Sequence, residues 1–209
     1  MSLRRLIALA AAMASLGLAL YSYRYLAGVG PRSPDILANA LAKPWLYLHI
    51  AGAATALLVA PLQLWPWLRG RHRSLHRRLG RIYMVACLVG GVAGFFVAFG
   101  STAGPIATSG FATLALIWIA VNVQGWRAAV ERRFDNHRAW MLRSAALTFA
   151  AVTLRLYLGI GVAAGLPFLD VYRATAWVSW ISNLILVELY LRGALGGRVA
   201  GKAFRQATI

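Results

Sequence analysis

The chain has 209 residues, of which 60% are hydrophobic and only 13% charged, and its formal net charge is +17. A soluble domain of this length would carry about twice that share of charge to cover its surface, so the composition excludes one. The positive excess does not read as a nucleic-acid face either, because the basic residues fall in short clusters between long apolar stretches, the pattern of loops on one side of a membrane.

A helix that crosses a bilayer needs about 20 mostly apolar residues. The first such run is 6–27, preceded by Arg4 and Arg5. It is long for a signal-peptide core and no small-x-small cleavage site follows, so a retained first helix is expected. The second run is 44–68, with Pro44 suited to a first helical turn, Pro61 expected to kink its inner end, and Trp45, Trp65 and Trp67 placed as interfacial anchors. A basic segment follows, with Arg69, Arg71, His72, Arg73, His76, Arg77, Arg78 and Arg81. The third run, 82–100, carries Gly90, Gly91 and Gly94 as a face for close helix approach. After a turn at Gly104 and Pro105 comes the fourth run, 106–130; the fifth is 139–164 and the sixth 172–191, followed by a basic tail. The lone Cys87 lies inside an apolar run, where it reads as packing.

These runs predict an all-α, polytopic transmembrane bundle of about six helices, or seven if a short segment folds back, forming a single domain over 1–209. With the N-terminus inside, seventeen of the 22 Lys and Arg residues fall on one side, leaving Arg24, Arg32, Lys43, Arg155 and Arg173 on the other. That bias predicts both termini in the cytoplasm, with the arginine-rich loops against anionic lipid headgroups.

The topology sorts the four histidines. His72, His76 and His137 fall at the inner side and His49 near the outer side. His72 and His76, four apart, would share a helix face as metal-binding pairs do, but the arginines around them oppose a divalent cation. His76 and His137 lie at one depth on different helices, with arginines alongside to pair with propionates, which permits an axial pair for haem b. The competing reading is that both histidines cap helix starts and hydrogen-bond at the interface. Arg155 follows His137 by eighteen residues, five helical turns or about 27 Å, on a face with Ser144 and Thr148 that should point into the bundle. Arg155 and His49, with Tyr47 and Asp170, would form an outer polar site for a quinone or an anionic substrate group, unless Arg155 snorkels outward. Arg143 and Glu188 are expected at one depth as a structural ion pair, with Asn122, Gln124 and Asn183 extending an inner polar network. No phosphate-binding loop, serine-nucleophile motif or zinc-peptidase motif occurs.

Three segments resemble a known family. They are His49 with Gly52, Pro61 and Gln63; His76-Arg77-Arg78-Leu79-Gly80-Arg81-Ile82-Tyr83; and His137-Arg138-Ala139-Trp140-Met141-Leu142-Arg143-Ser144 continuing to Leu154-Arg155. Over residues 45–192 the chain is similar to the bacterial membrane family called domain of unknown function 2306. Its histidine placement loosely resembles the cytochrome b561 group of haem proteins, which would imply electron transfer, but the fourth helix lacks a histidine, so a two-haem arrangement is not implied. Two function classes follow: a haem-binding redox component with His76 and His137 as axial ligands and His49 and Arg155 at a quinone site, or a non-enzymatic transporter or assembly subunit that engages a membrane partner protein and whose histidines are structural.

Overall fold

The computed structural model describes residues 3–30, 39 and 41–193; Arg32, Asp35 and the basic tail with Arg198, Lys202 and Arg205 lie outside the described residues. Within them the chain forms helices and no strand: α1 (Leu3–Ala27), α2 (Tyr47–Leu64), α3 (Pro66–Arg71), α4 (Arg73–Phe99), α5 (Pro105–Val130), α6 (Phe134–Ala163) and α7 (Phe168–Leu191). A π-helical turn, Ala42–Leu46, leads into α2. Six of the helices, all but the short α3, are long and apolar enough to cross a membrane.

The helix boundaries differ from the hydrophobic runs for identifiable reasons. The second run divides at Trp65, whose extended backbone (φ −71°, ψ 121°) separates α2 from α3. Trp65 precedes Pro66, and a residue before proline is disfavoured in the α region. Pro61, where a kink was expected, lies inside α2, which continues to Leu64. Pro44 sits within the π-helical turn rather than in the first turn of α2. The α4 helix begins nine residues ahead of its apolar run, at Arg73 instead of 82, and α6 begins at Phe134 instead of 139. Arginine is a good helix former, so the basic segments continue the helices out of the lipid. Hydropathy marks the depth of the bilayer and not the end of the helix.

Lipid must solvate the outer surface. Val85, Ile160 and Leu186 are 61%, 59% and 57% exposed, on three different helices. Contiguous apolar surface of this kind belongs to a protein whose surroundings are themselves apolar.

Without a hydrophobic force between helices in lipid, close packing and hydrogen bonds hold the bundle together. The α2–α4 crossing is backbone on backbone. A Cβ added at Gly52 would lie 2.5 Å from the Gly90 nitrogen and 2.6 Å from the Ala86 carbonyl oxygen, and one at Gly90 would lie 2.9 Å from the Ala53 nitrogen. The α5–α7 crossing is similar, with a Cβ at Gly110 falling 2.8 Å from the Ala176 oxygen. Small residues Ala56, Ala60, Ala86 and Ala150 then surround the large Tyr83, Trp118, Leu147 and Trp180 in the main core cluster. The α1 helix is peripheral: it rests on α2 through buried Ala19 and a 2.6 Å hydrogen bond between the Tyr23 and Thr55 hydroxyls.

Replacing Gly52 with alanine should lower stability by about 1–3 kcal/mol, because neither backbone can yield without separating the helices. Gly70→Ala on α3, where an added Cβ meets nothing within 4 Å, should change stability by less than about 0.5 kcal/mol. Unfolding of the two variants in detergent micelles, followed by tryptophan fluorescence, checks the contrast.

Candidate functional site: an intramembrane cavity

The α2–α4 contact fixes the first element of the site. The His49 ring lies beside Gly94, where an added Cβ would fall 2.7 Å from Nδ1, and Nδ1 is 2.8 Å from the Gly90 carbonyl oxygen. A carbonyl only accepts, so Nδ1 carries the proton and donates it. The ring is thereby clamped on α4, and it borders a partly open cavity of about 600 Å³ lined by residues of α2, α4, α5, α6 and α7.

Arg155, an exposed residue of α6, borders the same cavity. Its NH1 donates to the Ala151 carbonyl at 2.8 Å, and among the described residues it forms no ion pair. His49 and Arg155 are near enough for their charges to interact. The structure thus places His49 and Arg155 at one cavity, but not the other two expected members: neither Tyr47 nor Asp170 borders it, and Asp170 lies 3.5 Å from Arg173 with its side chain 68% exposed. Arg173 in turn donates through Nε to the Ala103 carbonyl at 2.8 Å.

Two cavity residues on α7 carried no expectation, Tyr172 and Ser179. Ser179 is 0% exposed and its hydroxyl has no hydrogen-bond partner among the described residues. A signal for it existed: Thr175, Ser179 and Asn183 recur at i, i+4, i+8 as a polar stripe in an apolar span, and polar groups inside a membrane helix are costly. The rest of the wall is apolar, with Phe111, Leu114, Trp118 and Leu158 among its residues.

A buried hydrogen-bond network lies below the cavity. The Tyr83 hydroxyl is 2.7 Å from the Ser144 hydroxyl and 2.8 Å from that of Thr148. Ser144 donates to the Asn122 side-chain carbonyl at 2.9 Å, Asn122 Nδ2 donates to the Trp118 carbonyl at 2.8 Å, and Trp118 Nε1 donates to the Thr148 hydroxyl at 3.1 Å. Thr148 and Trp118 also border the cavity, so the network ties its floor to α4, α5 and α6. Of the expected inner polar network, Asn122 joins this cluster. Asn183 instead donates to the Ala146 carbonyl and the Thr153 hydroxyl at 3.0 and 3.1 Å, and Gln124 is exposed.

At the arginine-rich end, Arg143 and Glu188 form the expected pair, with Nε–Oε1 at 2.5 Å and NH2–Oε2 at 3.1 Å. His76 and His137 come near enough for their charges to interact. His137 Nδ1 donates to the Gly125 carbonyl at 2.9 Å, while His76 Nδ1 is buried with no partner among the described residues. Burial and the neighbouring Arg138 hold Arg69 below the usual arginine range, with Tyr190 acting in the opposite sense. His72 precedes α4 in a non-helical conformation and packs on Trp67, so it does not pair with His76 along one helix face. No group of three His, Cys, Asp or Glu side chains suited to a metal ion occurs among the described residues.

A family model described as "Predicted membrane protein (DUF2306)" matches residues 46–191. The chain belongs to this family. The DUF2306 region runs from the π-helical turn to the last residue of α7 and contains every residue of the cavity and of the arginine-rich end named above except Asn39 among the cavity's borders. The α1 helix lies outside it. No curated protein and no solved structure matches the chain.

Substituting Tyr83 with phenylalanine should cost about 1–2 kcal/mol by removing a contact from both Ser144 and Thr148 in a buried setting. Thermal unfolding of the purified variant measures this, and an unchanged midpoint would show that the network does not hold the cavity floor.

Proposed function

We propose that this DUF2306 protein binds an amphipathic small molecule in the outer cavity, with the ligand's acceptor or anionic head at Arg155 and its apolar body against the aromatic and aliphatic walls. The observation that carries the reading is the cationic Arg155, which has no acidic partner among the described residues and borders a cavity whose volume falls within the range of small-molecule sites. A charge held in an apolar surrounding is costly unless something compensates it, and a ligand oxygen would do so. A quinone or an anionic amphiphile has the required chemistry. The charge asymmetry of the sequence supports an orientation with the arginine-rich end in the cytoplasm and the cavity in the outer half of a bacterial inner membrane.

The test separates function from folding. Arg155→Met should weaken binding of a decyl-tailed quinone or carboxylate about tenfold or more while leaving the ligand-free protein as stable as before or more so, since an uncompensated cation is removed. Arg138→Met, at the opposite end of α6, should leave binding unchanged. Equal binding by the wild type and Arg155→Met would overturn the reading.

A second reading concerns the other end of the bundle. His137 is oriented by its Nδ1–Gly125 bond with Nε2 left for a ligand, the arrangement that metal-binding histidines adopt, and His76 stands nearby with arginines around both. That supports haem b held by His76 and His137. Protein from haem-replete cells should then show sharp b-type bands on reduction, lost in His76→Ala and His137→Ala; a colourless preparation would remove this reading and leave the outer cavity unaffected.

A further inference from the structure

The two sides of the cavity differ in hydrogen-bonding character. His49 spends its Nδ1–H on the Gly90 carbonyl, so the neutral ring leaves Nε2 as an acceptor. The Nδ1–Cε1 edge is covered by α4, where a Cβ at Gly94 would fall 2.7 Å from Nδ1 and 3.0 Å from Cε1. Nε2 has no hydrogen-bond partner among the described residues, and the ring borders the cavity. Arg155 is the opposite case, a group that only donates. A ligand that fills this space therefore meets a lone pair at one place and a donor at another.

We infer that the cavity selects a lipid-soluble dihydroxy-aromatic head, of the quinol class, whose hydroxyl hydrogen is donated to His49 Nε2 while an oxygen accepts from Arg155. The inference rests on the ligand-binding reading above and narrows it. A fatty carboxylate satisfies Arg155 but brings no donor, which leaves the His49 lone pair unmet in an apolar cavity. An oxidised quinone fails in the same way, having acceptors only. A quinol carries both groups on one rigid ring, and its alkyl tail suits the apolar walls at Phe111, Leu114 and Leu158. Sites built to hydrogen-bond a hydroxyl reject analogues that lack it, because the buried partner is left unpaired.

Three probes with the same decyl tail test this in lipid nanodiscs: a 1,4-hydroquinone kept reduced, the matching benzoquinone, and a straight-chain carboxylate. Dissociation constants come from ligand-induced thermal stabilisation. The quinol should bind about tenfold or more tightly than either other probe. In His49→Phe the quinol should fall to the level of the benzoquinone, while His49→Gln, which keeps an acceptor, should retain part of the preference. Should His49→Phe fail to fold, the ranking of the three probes on the wild type still decides the matter. A carboxylate or benzoquinone that binds as tightly as the quinol overturns the quinol inference and leaves the ligand-binding reading standing. No binding by any of the three overturns both.

Discussion

The contact between Gly52 on α2 and Gly90 on α4 sets the distance on which the cavity depends, because no side chain separates the two backbones there. At that separation the His49 imidazole, less than one helical turn before Gly52, reaches the Gly90 carbonyl and lies with its Nδ1–Cε1 edge beside Gly94. A bulkier residue at any of the three glycines would push the ring away and release its Nδ1 proton to other partners. The same closeness on one side leaves space on the other: α2 and α4 are drawn together, while α5, α6 and α7 border the opposite wall of the cavity. A packing requirement, met by glycine, thus determines both the orientation of a histidine and the place of a void.

Hydrogen bonds in lipid have a second consequence. Tyr83, Asn122, Ser144 and Thr148 come from three helices and are all buried. Only three hydroxyl protons serve the contacts of Tyr83, Ser144 and Thr148 with one another, with Asn122 and with the Ser144 carbonyl. The groups therefore fix one another's orientation, and the arrangement cannot slip by a residue without leaving a polar group unmet in an apolar interior. Cavity walls built on such a floor keep their shape when the cavity is empty, which is what a preformed site needs.

Much of this could be read from residue order, and the limits of that reading are physical. Periodicity along α6 placed Ser144 and Thr148 on an inward face, and both are buried. Matched depth paired Arg143 with Glu188 across two helices, since an isolated charge at that level is costly. The pairing of His49 with Arg155 followed from depth in the same way. The break falls at Trp65 and not at Pro61, since the conformational restriction that Pro66 places on the residue before it ends α2, whereas Pro61 stays within the helix. The cavity itself was not available. Its lining comes from five helices, and no single helix records that. Ser179 belongs to it for the same reason: its polarity was visible, but its lack of a partner is a property of the assembled bundle.

The two arginines of α6 show how structure separates roles that composition leaves equal. Arg143 and Arg155 are twelve residues apart on one helix. The first meets a carboxylate in a two-contact pair and stacks over Trp140 at 4.8 Å, so its charge is balanced within the protein. The second has one backbone carbonyl and a cavity. In water the difference would matter little, because solvent would balance either. Inside a bilayer the balancing group must be part of the protein or be brought to it. For Arg143 the chain supplies that group. For Arg155 the described residues supply none, and the cavity is where an incoming oxygen can take its place.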